Sequence, residues 1–318
     1  MTREKIIAAL DIGSTAVALL VVKCLSDGTL EPINEYTAIT RLGENLYNSG
    51  KLSEDAINKS VNAAVEMQAI AMNDGAQNLI VTASSIIRDA ENRSKFLLKC
   101  HQAMGIYPQV LSGKEEARFA FQGAAMDIDD ETPIFLINIG GGSSEIVYGT
   151  KKEIVNSYCL NFGGVKITEM FKLDAHRRSL LPSFSPPKQA RNFIKKELQK
   201  KIGESIYPWL FKNEPVVLAC GGSATSFAAL LTKQVVYDRK QINYTESSRQ
   251  EIMSYYKTLS KMDNKTRANL PGMEPERAGI MPAGLLILST ILKSYRFDNI
   301  NITVKGMRMG ILKYFLER

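Results

Sequence analysis

Apolar residues along this chain fall into short β-branched runs that alternate with amphipathic stretches. Two of the runs share one form. Ile6 to Leu10 leads into Asp11-Ile12-Gly13-Ser14-Thr15 and out through Ala16 to Val22. Ile134 to Ile137 leads into Asn138-Ile139-Gly140-Gly141-Gly142-Ser143-Ser144 and out through Glu145 to Tyr148. Each reads as strand, tight polar turn, strand. Asp11 and Asn138 hold the same place in the two units, 127 residues apart, which predicts an internal duplication.

Between and beyond these units the pattern predicts alternating helices and strands. Ser53 caps a helix whose first turn carries Glu54 and Asp55 and whose apolar positions include Ile57, Val61, Ala64 and Met72. Asn78 to Thr82 is a short buried strand, and Ala83 to Ala90 a polar turn into a helix that contains Arg88. Val110-Leu111 ends a strand before the helix that starts at Ser112. Further on, a basic helix is expected from about Lys188 to Ile202, a strand over Val216 to Cys220, and a buried helix over Pro282 to Leu292. A strand over Ile302 to Val304 and a helix over Met307 to Leu316 close the chain. A length of 318 residues suits two domains, with 1–126 and about 305–318 expected in one lobe and 127–304 in the other.

Composition narrows the chemistry. Hydrophobic content of 45% and charged content of 23% are those of a globular protein. No apolar run suits a signal peptide or a membrane span, so a cytoplasmic protein is expected. Cys24, Cys100, Cys159 and Cys220 lie far apart without metal-binding spacing and fit buried, reduced thiols. With only two histidines, His101 and His176, a His-ligated metal cluster or a Ser-His-Asp triad has almost no material. Carboxylates, hydroxyls, arginines and backbone amides must do the work. Charge is also uneven, 12 Lys/Arg against 14 Asp/Glu over residues 1–126 but 28 against 19 over 127–318. The basic second half favours an acidic partner, although helix-like runs such as Lys188 to Lys201 also read as solvated surface.

Three stretches suit an anion. Gly140-Gly141-Gly142-Ser143-Ser144 permits positive φ and a nest of backbone N–H groups, although an ordinary hairpin explains the loop equally well. Gly221-Gly222-Ser223-Ala224-Thr225 stands at a helix N-terminus, where amides and dipole point at a ligand. Phe162-Gly163-Gly164-Val165-Lys166 opens another helix and reads either as a third anion loop or as a plain strand-to-helix turn. Arg88 follows a strand end, where α/β folds place ligands. Ser112 and Glu115 have capping-box spacing, which explains Glu115 but leaves Glu116 on another face of the helix. The helix dipole favours an ionised Glu116, a candidate general base for water.

Two strand–turn–strand repeats, a Gly-Gly-Ser loop and intervening helices make an α/β protein of two related lobes with a cleft between them. This arrangement resembles the duplicated, ribonuclease-H-like fold of actin, sugar kinases and heat-shock chaperone ATPases. Within it, the motifs resemble the exopolyphosphatase/guanosine-pentaphosphate phosphatase (Ppx/GppA) family, in its short two-domain form. The resemblance spans nearly the whole chain. It rests on Asp11-Ile12-Gly13-Ser14, Thr82-Ala83-Ser84 with Arg88, Ser112-Gly113-Lys114-Glu115-Glu116-Ala117 and Gly140 to Glu145. Gly221 to Thr225, Leu270-Pro271-Gly272-Met273 with Glu276-Arg277, and Gly306-Met307-Arg308 complete it.

The resemblance implies hydrolysis of a terminal phosphoanhydride by Mg²⁺-assisted water attack. Glu116 then corresponds to the catalytic carboxylate, with Arg88 beside it. Ser14, Thr15, Arg41, Gly141, Gly142, Ser143, Ser144, Gly222 and Ser223 would bind phosphate, and Asp11, Asn138 and Glu145 would lie at the metal. Inorganic polyphosphate or guanosine penta/tetraphosphate is the implied substrate, with no membrane or specific nucleic-acid partner; a homodimer is a possible assembly, and the sequence leaves the oligomeric state open. This chain departs from the family at Asn138, where Asp is usual, at Thr15-Ala16 in place of Asn-Ser, and at Met309 in place of Glu. The alternative is a catalytically impaired protein that binds polyphosphate or an alarmone.

Overall fold

The computed structural model describes residues 4–173, 186–234 and 236–317. His176, one of the two histidines, lies outside them. The chain divides into two compact units, Met1–Gly123 with Met307–Arg318, and Ala124–Gly306.

The first unit carries a five-stranded sheet. β1 (Lys5–Ile12) and β2 (Ala16–Cys24) form the hairpin read from the sequence, and β3 (Leu30–Ile39) extends it. β4 (Asn78–Ala83) and the short β5 (Gln109–Val110) pair in parallel on the other side, giving the order β3-β2-β1-β4-β5. β1 shows why it is central: Ile7 to Leu10 are buried without a break, as a strand covered on both faces requires. The helix Glu54–Asn73 begins at Ser53, whose side chain accepts from the Ala56 amide, and packs Ile57, Val61, Ala64 and Met67 into the core.

The second unit repeats this topology. β6 (Ile134–Ile139), β7 (Ser144–Gly149) and β8 (Ile154–Leu160) form the antiparallel half. β9 (Val216–Cys220) runs parallel to β6, β10 (Thr245–Ser248) is added at the edge, and β11 (Asn299–Ile302) runs parallel to β9. The order β10-β11-β9-β6-β7-β8 contains β8-β7-β6-β9-β11, the counterpart of β3-β2-β1-β4-β5. The duplication read from two turns thus extends to whole sheets. The helix Met281–Ser294 is buried from Met281 through Leu292, and its apolar length is explained by the core around it. No helix among the described residues is long and apolar enough to cross a membrane. The basic helix runs Pro186–Lys201, and the last strand ends at Ile302, so Thr303 and Val304 belong to the turn.

Candidate functional site

In the first unit the β1–β2 turn is closed by the Gly13 amide donating to Ala16 O at 2.9 Å. The loop after β3 folds onto this turn: the Thr40 and Arg41 amides donate to Thr15 O, and the Gly43 amide to Ser14 O. A Cβ on Gly43 would stand 2.8 Å from Ile86 Cδ1 and 3.2 Å from Ser14 O, so the side chain of Ile86 would have to shift to admit one. Arg41 and Asn45 both adopt left-handed backbone, φ 51° and 60°. Two strained non-glycine residues in one five-residue loop mark a geometry fixed by its surroundings. Ser14, Thr15 and Arg41 are therefore neighbours through the backbone.

Asp11 stands one residue from the end of β1 and is half-buried; Thr82 Oγ1, across the parallel pair, donates to its Oδ1 at 3.1 Å. Its carboxyl is pushed up to about 7, first by burial and then by the charge of Glu116, while Thr82 and Arg308 pull the other way. Arg308 is itself held by Leu19 O at 2.9 Å and by Glu35. Glu116, 3% exposed, accepts from Arg88, whose same nitrogen also reaches Leu111 O. The neighbouring Glu115 is spent on the helix start. Its Oε2 accepts from the Ser112 amide at 2.8 Å and from Ser112 Oγ at 2.7 Å, and these bonds hold its carboxyl below the usual range. Of two adjacent glutamates one caps the helix, and the other meets Arg88 and the field of Asp11.

In the second unit the Gly140–Ser143 turn is closed by the Gly140 amide on Ser143 O at 3.0 Å. None of Gly140, Gly141 and Gly142 is among the glycines in left-handed backbone, contrary to expectation. The small residues serve a close approach instead. The Gly164 amide donates to Gly140 O, and those of Val165 and Lys166 donate to Gly141 O. A Cβ on Gly163 would stand 2.5 Å from both glycine carbonyl oxygens. The first amides of the helix Gly164–Phe171 are thereby committed to bracing this turn, which answers the open reading of the Phe162–Lys166 loop. Ser144 also needs correction as a phosphate ligand. It is fully buried and its hydroxyl donates to Phe162 O at 2.7 Å, so it builds the loop from beneath.

Gly221 is the second fixed point. Its φ is +86°, and a Cβ would lie 2.5 Å from Asn138 Oδ1. It opens the helix Gly222–Leu231, where Ser223 Oγ packs against Gly164 and Gly284. At Gly222 a Cβ would collide with the guanidinium of Arg277, which is paired with Glu274. Arg277 is not among the expected site residues. The Glu276-Arg277 pair after Leu270-Pro271-Gly272-Met273 was visible, but nothing local ties it to Gly222, 55 positions earlier.

Asn138 and Glu145 are cross-strand partners, and Asn138 Nδ2 donates to Glu145 Oε2 at 2.6 Å. Cys159 Sγ lies 3.6 Å from Glu145 Oε1, and Cys220 Sγ 3.4 Å from Asn138 Oδ1. Among the described residues no three His, Cys, Asp or Glu side chains gather in a way that could hold a metal. Of the expected metal set, Asp11 lies in the first unit, and Asn138 and Glu145 bond each other in the second.

The chain was compared with known proteins. A model of the Ppx/GppA phosphatase family matches residues 21–318. Exopolyphosphatase 2 of Mycobacterium tuberculosis is 26% identical over 96% of this chain and 97% of its own length. A bifunctional 3-dehydroquinate synthase/phosphatase of Fusobacterium nucleatum is 27% identical over 96% of this chain and 46% of its own. Among solved structures, the Ppx/GppA family member of Aquifex aeolicus superposes with TM-score 0.77 at 25% identity, covering 99% of this chain and 98% of that one. An exopolyphosphatase of Cytophaga hutchinsonii reaches 0.86 at 19% identity, covering 98% of both chains, and bears on the fold alone. The expected duplicated, actin-like α/β fold is that of these structures.

Proposed function

Because the chain belongs to the Ppx/GppA phosphatase family, we propose that it removes the terminal phosphate of inorganic polyphosphate, with Glu116 as the base. The observation that carries this reading is the Arg88–Glu116 pair beside Asp11, in a helix whose cap has already absorbed Glu115. Glu116 takes a proton from water as the water oxygen attacks the terminal phosphorus; the bridging P–O bond breaks, and the shortened chain leaves with the electron pair. Arg88 holds Glu116 in place and can follow charge onto the phosphoryl oxygens. In the first unit the backbone amides of the Ser14–Thr15 turn and the Arg41 side chain are phosphate-binding candidates; in the second, each by itself, the Gly140–Ser143 and Gly221–Ser223 loops with Ser223 are.

A divalent cation fits the first unit. Two adjacent acids, of which Asp11 is raised to about 7 by burial and then by the charge of Glu116, are relieved by a nearby cation. Asp11 would hold Mg²⁺ together with substrate phosphate, a sparse protein ligation usual for this ion. When bound, the ion supplies charge neutralisation on the phosphoryl oxygens.

Polyphosphate is favoured over guanosine pentaphosphate by the excess of Lys/Arg in residues 127–318, 28 against 19 acids, which suits a long polyanion. The four cysteines are free thiols, consistent with a reducing compartment. Phosphate release from polyphosphate, guanosine pentaphosphate and ATP, each with Mg²⁺ and with EDTA, tests the reading. Mg²⁺-dependent release, fastest from polyphosphate, is expected. Tight polyphosphate binding without release from any of the three would replace the enzyme with a binding protein.

A further inference from the structure

Four side chains line up across the second sheet. Register places Cys220 of β9 beside Asn138 of β6, Asn138 opposite Glu145 of β7, and Glu145 opposite Cys159 of β8. They share one face because cross-strand partners project together. The bonds run along the row: the Cys220 thiol donates to Asn138 Oδ1, Asn138 Nδ2 donates to Glu145 Oε2, and the Cys159 thiol donates to Glu145 Oε1. Each oxygen of the buried Glu145 thus receives a neutral donor. Burial and the Glu145 charge push the Cys220 thiol up, which keeps it a donor.

Now consider an acid at position 138. Its carboxylate would lie in contact with that of Glu145, at the 2.6 Å now spanned by an N–H donor. Like charges at that distance need a proton or a cation between them. We propose that in this chain the Asn138 amide takes the place of a bridging cation, so that the Cys220–Asn138–Glu145–Cys159 row is a metal-independent ladder supporting the Gly140–Ser143 turn. Asn138 and Glu145 are positioning residues, anchored at the two ends of the turn that the β6–β7 pair closes. Gly221 seals the ladder, since any Cβ there would push Asn138 Oδ1 away. The inference rests on the phosphatase reading only in taking Mg²⁺ as the relevant ion, and it confines the protein's metal ligation to the first unit.

The test is thermal unfolding of the parent protein, Asn138→Asp and Glu145→Gln, each in EDTA and across a Mg²⁺ titration. Asn138→Asp is expected to melt below the parent in EDTA and to recover saturably with Mg²⁺, because an ion that binds only the folded state stabilises it. Glu145→Gln is isosteric and removes the carboxylate, and the parent's own Mg²⁺ response, whatever its size, should persist in it. The inference is overturned if Asn138→Asp responds to Mg²⁺ no more than the parent does. It is equally overturned if Glu145→Gln abolishes the parent's response. Should Asn138→Asp fail to fold in any condition, the Glu145→Gln comparison decides by itself. No arm reads phosphate release, so the ladder and the phosphatase reading can fail separately.

Discussion

Asp11 and Asn138 occupy equivalent places in the two sheets, each one residue from the end of the central strand that heads the hairpin. Their surroundings are opposite. Asp11 faces Ala18 on β2 and Thr82 on β4, while Asn138 faces Glu145 on β7 and Cys220 on β9. Each row therefore contains a single carboxylate, but only the second row saturates it with donors. In the first unit burial drives the Asp11 carboxyl upward, and a further acid, Glu116, arriving from a helix, adds to it. A repeated topology has thus been given two electrostatic designs: one half sets a carboxyl raised by burial beside a second acid, and the other surrounds its carboxylate with neutral hydrogen-bond donors. Reactivity is expected where the charge is unresolved.

The largest test of this contrast is Glu116→Gln. The change keeps an oxygen for Arg88 and removes only the proton acceptor. Phosphate release should fall by about 10²–10⁴, the usual worth of a positioned base. Circular dichroism should show the fold retained, and release at the parent's rate would place the base elsewhere.

Asp11→Asn comes next, because it gives the first row the amide of the second. Thr82 Oγ1 can still donate to the amide oxygen, so the local hydrogen bond survives. What goes is the negative charge toward the ion, and a loss of several kcal/mol of charge stabilisation corresponds to about 10² or more in rate. A Mg²⁺ titration of phosphate release should show a rate that added ion does not restore. Full recovery at high Mg²⁺ would mean that Asp11 sets affinity and nothing more.

How much of this was legible beforehand follows from the range of each signal. The Asp11 and Asn138 units were legible because strand, turn and strand are contiguous. The capping box was legible because Ser112 and Glu115 are three residues apart, and the structure uses both as read. The ladder was not. Cys220 lies 82 positions from Asn138, and only strand order brings them together. The glycines of the Gly140–Gly142 turn were found, but the reason for them was not, since it depends on a loop some twenty residues later pressing on their carbonyls. Ser144 looked like its neighbours in sequence, yet strand alternation and the Phe162 carbonyl turn it inward. Local chemistry was readable; which face meets a ligand was decided by register.

The smallest expected effect concerns Thr82 and Cys220, the parallel-strand neighbours of Asp11 and Asn138. Thr82 Oγ1 donates to Asp11 Oδ1 at 3.1 Å and reaches Leu10 O at 3.4 Å. Thr82→Val keeps the branched shape and deletes the donor, leaving a half-buried acid with one partner fewer. A hydrogen bond of this kind is worth about 1–2 kcal/mol, so urea unfolding should show a loss of that order without a change in slope. Thr82→Ser restores the hydroxyl and should recover most of it. Cys220→Ser exchanges one donor for another beside an amide that is already neutral, and it should cost less than Thr82→Val. The order matters more than either value, because a donor to a strained carboxylate is worth more than a donor to an amide. If Cys220→Ser proves the costlier of the two, the second row is under as much electrostatic strain as the first, and the contrast between the two designs is lost.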